Sequence, residues 1–271
     1  MLRSRDGHAV ELLNQAHLEH PWYGVRRLAI HLRWSENKTR RIRTLAGIVI
    51  PRASKKRRTG RPGIPEIPAP ANALKTFAVF KNEERPQDGM DYSGMTDSGG
   101  WVQDFTYLWF ERSWVYLAVV LDLKTRQAVG WSVGLSHSSE LTYRALLDAL
   151  SKQSAPTILH SDQGSEYLSE RHQQLCTRFG ITLSCSAKAS PWQNGYMERW
   201  FETLKLELGP LAAFQDLGQL TEAVAFRIHY YNTKRIHTAL KMPPAVYAAQ
   251  HKNAPSVGVL FSDKVLQKVG A

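Results

Sequence analysis

The sequence predicts an α/β domain on a mixed sheet, three antiparallel strands plus parallel ones flanked by helices, with a small helical domain ahead of it. Three observations carry this. From Trp101 onward, three short β-rich runs follow one another with only two or three residues between them. From Ser138, helical and strand-like patterns alternate, which adds parallel strands to a sheet. Before both, a basic segment with helical spacing is set apart by a proline-rich stretch.

In the head, "HPWYGVRRLAIHLRWSENKTRRIRTLAGI" predicts two short helices. Val25, Leu28, Ala29 and Leu32 keep helical spacing and stop near Trp34-Ser35. A second helix carries Ile42, Leu45 and Ala46 inward and spreads Lys38, Arg40, Arg41 and Arg43 over its outside, with Arg26 and Arg27 on the first. Two helices with a basic second one suit a helix-turn-helix unit that lays that helix along DNA.

Net charge is +11, and its placement is uneven. Residues 1–70 hold 15 Lys/Arg against 5 Asp/Glu, while the rest hold 20 against 19. A basic head on a nearly neutral body points to a polyanion, most simply nucleic acid; the alternative is a solubilising tail. The stretch "PRASKKRRTGRPGIPEIPAPAN" holds five of the thirteen prolines and the run Lys55-Lys56-Arg57-Arg58. It cannot bury a core and reads as an extended linker that follows a phosphate backbone. The expected organisation is a head over 1–50, a linker over 51–73, a main domain over 74–250 and a tail over 251–271. "NEERPQDGMDYSGMTDSGG" (82–100) reads as a loop into the main domain.

In that domain, "WVQDFTYLWF", "SWVYLAVVLDL" and "QAVGWSVGL" form an antiparallel meander, turning at Glu111-Arg112 and Lys124-Thr125-Arg126. "SSELTYRALLDALSK" is an amphipathic helix with Leu141, Ala145, Leu146 and Leu150 on one side; "PTILHSD" is a strand, "SERHQQLCTRFG" a helix and "ITLSCS" a strand. "SPWQNGYMERWFETLKLEL" is a polar turn leading into a long helix.

No apolar run approaches the roughly 18 to 20 residues of a membrane span, and the first residues lack the apolar stretch of a secretory signal. A cytoplasmic protein, without a membrane partner, is expected. Cys176 and Cys185 have no CxxC pairing, so His17 and His20 lack thiolate partners for a structural zinc site, and the cysteines read as buried free thiols.

Three acids stand out. Asp104 lies inside the first strand, where a carboxylate in a core sheet needs a reason, although an edge position facing solvent would supply one. Asp162 follows "TILHS" at the C-terminal end of a strand, the end that favours ligands and catalytic groups. In the long helix, Met197, Phe201, Leu204 and Leu208 share a stripe that packs on the sheet, and Glu198, Glu202 and Lys205 fall within about 60° of each other beside it. Carboxylates from three elements make a hard-oxygen site suited to Mg²⁺ or Mn²⁺ rather than zinc.

In this order, "HPWYGVRRL", "TRRIRTLAGI", "WVQDFTYL", "VYLAVVLDLKTRQAVGWSVG", "LHSDQGSEYLS", "SPWQNGYMERWFETLKLE" and "YYNTKRIHTALKMPP" resemble the DDE transposases of bacterial insertion sequences, of the second-reading-frame type related to the retroviral integrase core. The 35 residues between Asp162 and Glu198 belong to the same pattern. The resemblance implies a ribonuclease-H-like catalytic fold with Asp104, Asp162 and Glu198 as metal ligands and Lys205 as a contact to DNA. It also implies two Mg²⁺ (or Mn²⁺) ions, double-stranded DNA at transposon ends and target, and a homo-oligomer on that DNA. An upstream-frame helix-turn-helix partner fits as well, the chain being the catalytic product alone or a truncated element. "SPWQNGY" departs from the acidic run many relatives have before the glutamate.

The expected reaction is metal-dependent hydrolysis at a transposon end, then strand transfer by the freed 3′-hydroxyl, with no Ser or Tyr nucleophile. The alternatives are a DNA-binding repressor with an inactive core, and a nuclease that does not join. Glu202 is the rival to Glu198, and Glu166 and Asp122 are spare acids. Trp192 and Tyr196 either stack on bases or pack, and Trp200 packs. "FRIHYYNTKRIHTAL", with Arg227, Lys234 and Arg235, either lines DNA or decorates a terminal helix.

Overall fold

Three helices, rather than the two expected, make the head. α1 (Ser4–Glu19), α2 (Val25–Leu32) and α3 (Glu36–Leu45) meet through Leu13, Leu28 and Ile42, which are all fully buried. These come from a computed structural model, which describes residues 4–50, 69–80, 90–92, 95, 99–187 and 190–251. The basic run Lys55 to Arg58, nearly all of the linker and the tail beyond His251 lie outside the described residues. α2 ends at Arg33, whose left-handed backbone (φ 54°) turns the chain, and Ser35 caps α3 by accepting from the Lys38 amide at 3.2 Å. Ile42 points inward as expected. Leu45 does not: it is 47% exposed, because the helix ends there and the chain leaves the head.

A two-residue pair, β1 (Val79–Phe80) with β2 (Met90–Asp91), precedes the main sheet. That sheet contains β3 (Gly100–Phe110), β4 (Ser113–Asp122) and β5 (Ala128–Gly134) as an antiparallel meander. After α4 (Ser139–Lys152), β6 (Ile158–Ser161) adds parallel to β3; after α5 (Glu170–Arg178), β7 (Thr182–Cys185) adds parallel to β6. The order across the sheet is β5-β4-β3-β6-β7. The β3–β4 hairpin turns on Glu111 and Arg112, both at positive φ (44° and 66°), which matches the twist of a two-residue connection without a glycine.

Both faces of the sheet are covered, so β4 reads as one apolar run instead of alternating. Leu117, Val119 and Leu121 enter one layer, with α6 (Gly195–Leu208) and α7 (Leu217–Thr233). Ala118 and Val120 enter the other, with α4 and α5. α4 lies so close to β5 that a Cβ on Gly130 would stand 2.3 Å from the Ala145 carbonyl oxygen. The last helix among the described residues is α8 (Pro244–Gln250).

The head is fastened to the segment after α7. Tyr23 accepts from the Ile236 amide at 2.7 Å and donates to the Lys234 carbonyl at 3.2 Å, while Arg27 Nε donates to the Ile236 carbonyl at 2.9 Å. Beside them Arg235 Nε donates to Glu207 Oε1 of α6 at 2.6 Å, with both side chains almost wholly buried. Removing one member of such a pair strands the other charge. Glu207→Ala or Arg235→Met alone is therefore expected to cost about 3–5 kcal/mol of stability, and Glu207→Met with Arg235→Met far less. Urea unfolding of the three variants, followed by tryptophan fluorescence, measures both.

Candidate active site

Strand register brings the first two acids together. The parallel pairing of β3 with β6 matches Gly100 to Ile158 and Val102 to His160; carried two residues further, it sets Asp104 beside Asp162. Alternation gives Asp104 the same face as Val102, Leu108 and Phe110, the face covered by α6. Asp104 accepts from the Phe105 amide at 2.8 Å, and Asp162 accepts from the Gly164 amide at 3.0 Å, which starts the turn away from the sheet.

Glu198 arrives on α6. Met197, Trp200, Phe201, Leu204 and Leu208 of that helix are buried against the sheet, so the stripe read from sequence is the packing face and Trp200 is part of it. The polar turn before the helix is an anchor. Gln193 and Asn194 are buried; Gln193 Oε1 accepts from the Ala187 amide at 2.7 Å and from Asn72 at 2.8 Å, and Asn194 Nδ2 donates to the Gln103 carbonyl of β3 at 3.5 Å. α6 thus begins one residue from Asp104 along the strand, with Glu198 in its first turn.

The electrostatics of Asp104 record the convergence. Its carboxyl is held well above the usual carboxylate range, first by burial and then by the charge of Asp162, with Glu198 and Glu166 adding and the Phe105 amide opposing. Glu202, the rival acid, is exposed and pairs with Arg199 at 3.5 Å. Lys205 is exposed two turns beyond Glu198. The acids are not gathered into a closed ligand set: among the described residues, the only three candidate ligands with atoms within 4.8 Å of one another are Glu19, His20 and His31. An all-carboxylate donor set with one member resisting ionisation nevertheless suits a hard divalent cation, whose charge would remove that resistance.

Sequence reasoning passed over several groups at this site. Glu166, noted only as a spare acid, is buried and meets His137 Nε2 at 3.1 Å, and His137 packs on Phe105 at 4.3 Å between ring centroids. Tyr167 is buried with a hydroxyl that has no hydrogen-bond partner among the described residues; burial, then Asp104 and Asp162, raise its pKa. Gly164 lies so near Glu166 that a Cβ there would stand 2.4 Å from its carboxylate. The signal was present in "SDQGSEY", where two acids four residues apart flank a glycine. Asp122 belongs elsewhere, capping the β4–β5 turn through the Thr125 amide at 2.6 Å and accepting from Trp101 at 3.1 Å. Tyr196 packs: the Arg126 guanidinium lies 4.0 Å over its ring.

The cations expected on a nucleic-acid face divide. Lys38, over the Trp34 ring at 4.1 Å, and Arg40 are exposed on α3; Arg26 is exposed and 3.8 Å from Glu36. Arg41 is instead engaged in a two-pronged bond to Asp6 of α1, at 2.8 and 3.0 Å. Arg43 is half-buried. Arg27 is a correction: it holds the Ile236 carbonyl, and burial, then the charge of Arg235, brings its pKa down to about 10. Arg235 is likewise buried, on Glu207.

Two family models, both described as Integrase core domain, match residues 97–191 and 179–244. Over 143 residues the chain is 37% identical to the transposase for insertion sequence element IS904 of Lactococcus lactis, covering 52% of this chain and 56% of that protein. It is 38% identical over 109 residues to transposase InsF for insertion sequence IS3A of Escherichia coli, covering 40% of this chain and 38% of that protein. The chain thus spans about half or less of the length of these curated relatives. Among solved structures it is similar to the simian T-cell lymphotropic virus intasome in complex with PP2A regulatory subunit B56 gamma. There the identity is 18%, the TM-score 0.52, and the match covers 91% of this chain and 76% of that one, a likeness of fold. The mixed sheet with helices on both faces is ribonuclease-H-like.

A carboxyl whose pKa folding has raised weakens the fold once it must ionise. That penalty is absent below the ordinary aspartate range near pH 4 and grows as pH rises toward and through the folded value. Asp104→Asn is therefore expected to melt above the wild type at pH 7, with the gap closing toward pH 4. Millimolar Mg²⁺ is expected to narrow the gap at pH 7 by stabilising the wild type alone. Thermal unfolding across pH, with and without Mg²⁺, checks all three.

Proposed function

Because the chain carries an integrase core domain and is related to the transposases of insertion sequences, we propose that it catalyses metal-dependent cleavage of transposon-end DNA and transfer of the freed 3′-end into target DNA. The observation that most supports this is the convergence of Asp104, Asp162 and Glu198 from three separate elements, and burial, then the charge of Asp162 with Glu198 adding, raises the pKa of Asp104 accordingly. Asp104, Asp162 and Glu198 are the residues that would hold two Mg²⁺ or Mn²⁺ ions. When bound, such ions neutralise the phosphate and stabilise the attacking and leaving oxygens of an in-line displacement.

The chain's own part is positioning. The β3–β6 register fixes two carboxylates side by side, and the buried Gln193-Asn194 anchor aims the third at them. In the first reaction a water oxygen bonds to phosphorus, the P–O3′ bond breaks, and the 3′-oxygen leaves with a proton. In the second that 3′-hydroxyl loses its proton, bonds to a target phosphorus and expels a target 3′-oxygen. Neither reaction passes through a covalent bond to protein. Lys205, exposed along α6, is assigned to a DNA phosphate near the reacting strand. Lys38, Arg40 and Arg26 of the head are assigned to the backbone of the transposon end, where a homo-oligomer would bring two ends together.

Mg²⁺- or Mn²⁺-dependent cleavage and joining of the element's terminal DNA tests the reading. Glu198→Gln is expected to lose both reactions by at least about 10²–10³-fold while keeping DNA binding, and Glu202→Gln to remain near wild type. A wild type that binds these ends without cutting them would make the chain a repressor; one that cuts without joining, a nuclease. Lys38→Ala and Arg40→Ala are each expected to weaken binding regardless of sequence and to lower the salt slope by about 1, measured by titration at several salt concentrations.

A further inference from the structure

The end of α1 and the last turn of α2 carry the group Glu19, His20 and His31. His20 is buried, stacked on Tyr23 at 4.3 Å between ring centroids, and set edge-on to His31 at 4.9 Å. Its Nδ1 is joined to the hydroxyl of Tyr230 on α7 at 2.7 Å, which leaves Nε2 facing away from that helix. There Glu19 Oε2 lies 3.9 Å from His20 Nε2 and 3.8 Å from His31 Nε2.

These separations are too long for hydrogen bonds, but they suit ligands around a common centre. Ligands about 2.0–2.1 Å from a tetrahedral ion stand roughly 3.4 Å apart. The excess of about half an ångström is within reach of the exposed Glu19 side chain.

We propose that Glu19, His20 and His31 bind a borderline divalent cation of the Zn²⁺ class, oriented by the bond from His20 to Tyr230, and that this ion ties the end of α1 to α2. Two imidazoles and one carboxylate are the donor set such an ion prefers, whereas Mg²⁺ favours oxygen alone. The hydroxyl on the second ring nitrogen is the outer-shell contact that sets tautomer and direction in histidine metal sites. The site lies on the head, apart from the three catalytic acids, and takes a different class of ion.

The test uses the full chain stripped with a chelator and titrated with Zn²⁺ at micromolar levels in millimolar Mg²⁺, which occupies the hard-oxygen site. Equilibrium dialysis is expected to give one Zn²⁺ per chain. Co²⁺ in its place is expected to show no thiolate charge-transfer band, since Cys176 and Cys185 are buried and burial pushes the Cys176 thiol up to about 12. His31→Ala and Glu19→Gln alter accessible side chains and are expected to weaken Zn²⁺ more than 10-fold, Tyr230→Phe about 10-fold, and His8→Ala not at all. Unchanged affinity in both His31→Ala and Glu19→Gln, a thiolate band, or no micromolar binding in the wild type would overturn the proposal and leave His20 a core histidine bonded to Tyr230.

Discussion

Carboxylates placed side by side repel, and the main domain of this protein is arranged to hold them there. Asp104 and Asp162 are neighbours because of the β3–β6 register, and a slip of one residue would send them to opposite faces. The register is secured from both sides: His160 is bonded through one ring nitrogen to Ser184 at 2.8 Å and through the other to Ser186 at 2.9 Å, and Gln103 to His172 of α5 at 3.0 Å. These buried polar bonds lie next to the acids on each strand. They cost nothing in unsatisfied groups and make any other pairing expensive. The strain of the carboxylates is thereby confined to ionisation, where a cation can relieve it, and kept out of the backbone.

The third acid depends on a different device. A helix held only by an apolar stripe can slide or rotate by small amounts, and Glu198 tolerates neither. Its N-terminus is tied to β3 through Asn194 and to the 187 amide through Gln193, and near its other end Glu207 is buried against Arg235. The departure in "SPWQNGY" from the acidic run of many relatives thus has a structural reading: the amides do the fastening. Because Arg235 leads directly to Ile236, the same helix is coupled to the head through Tyr23 and Arg27.

Much of this was legible. The meander follows from its β-rich runs and their short connections, and the later helices and the stripe on α6 follow from periodicity, since each helix buries one clear face. Asp104 stood out as a charge inside a strand, and Asp162 by its place at the C-terminal end of one, although "SDQG" by composition is also a polar turn. What escaped has a common cause, long-range partnership. α1 was missed because its inward residues Ala9, Leu13 and Ala16 include two small ones, which look weakly amphipathic until Ile42 and Leu28 are set against them. Glu166 read as a spare acid because its partner His137 lies 29 residues earlier. Arg27 and Arg41 looked like further members of a basic surface, and only the fold supplies the Ile236 carbonyl and Asp6 that engage them.

That division of the cations changes what the basic head means. Its net charge suggests a broad attraction to polyanions, yet Arg27 is fixed on the Ile236 carbonyl, and Arg41, although exposed, is engaged by Asp6. Lys38 and Arg40 remain exposed on α3, and Arg26 on α2. Arg26 also lines a cleft with Arg33 of the head and Lys241 beyond α7. "HPWYGVRRL" and "YYNTKRIH", more than 200 residues apart, are two halves of one joint. A head so joined is held to the segment after α7 by three hydrogen bonds to its backbone. Under the proposed function, the span between a bound DNA end and the three acids would be a property of the fold, and pre-organisation of that span would lower the ordering cost of each encounter with DNA.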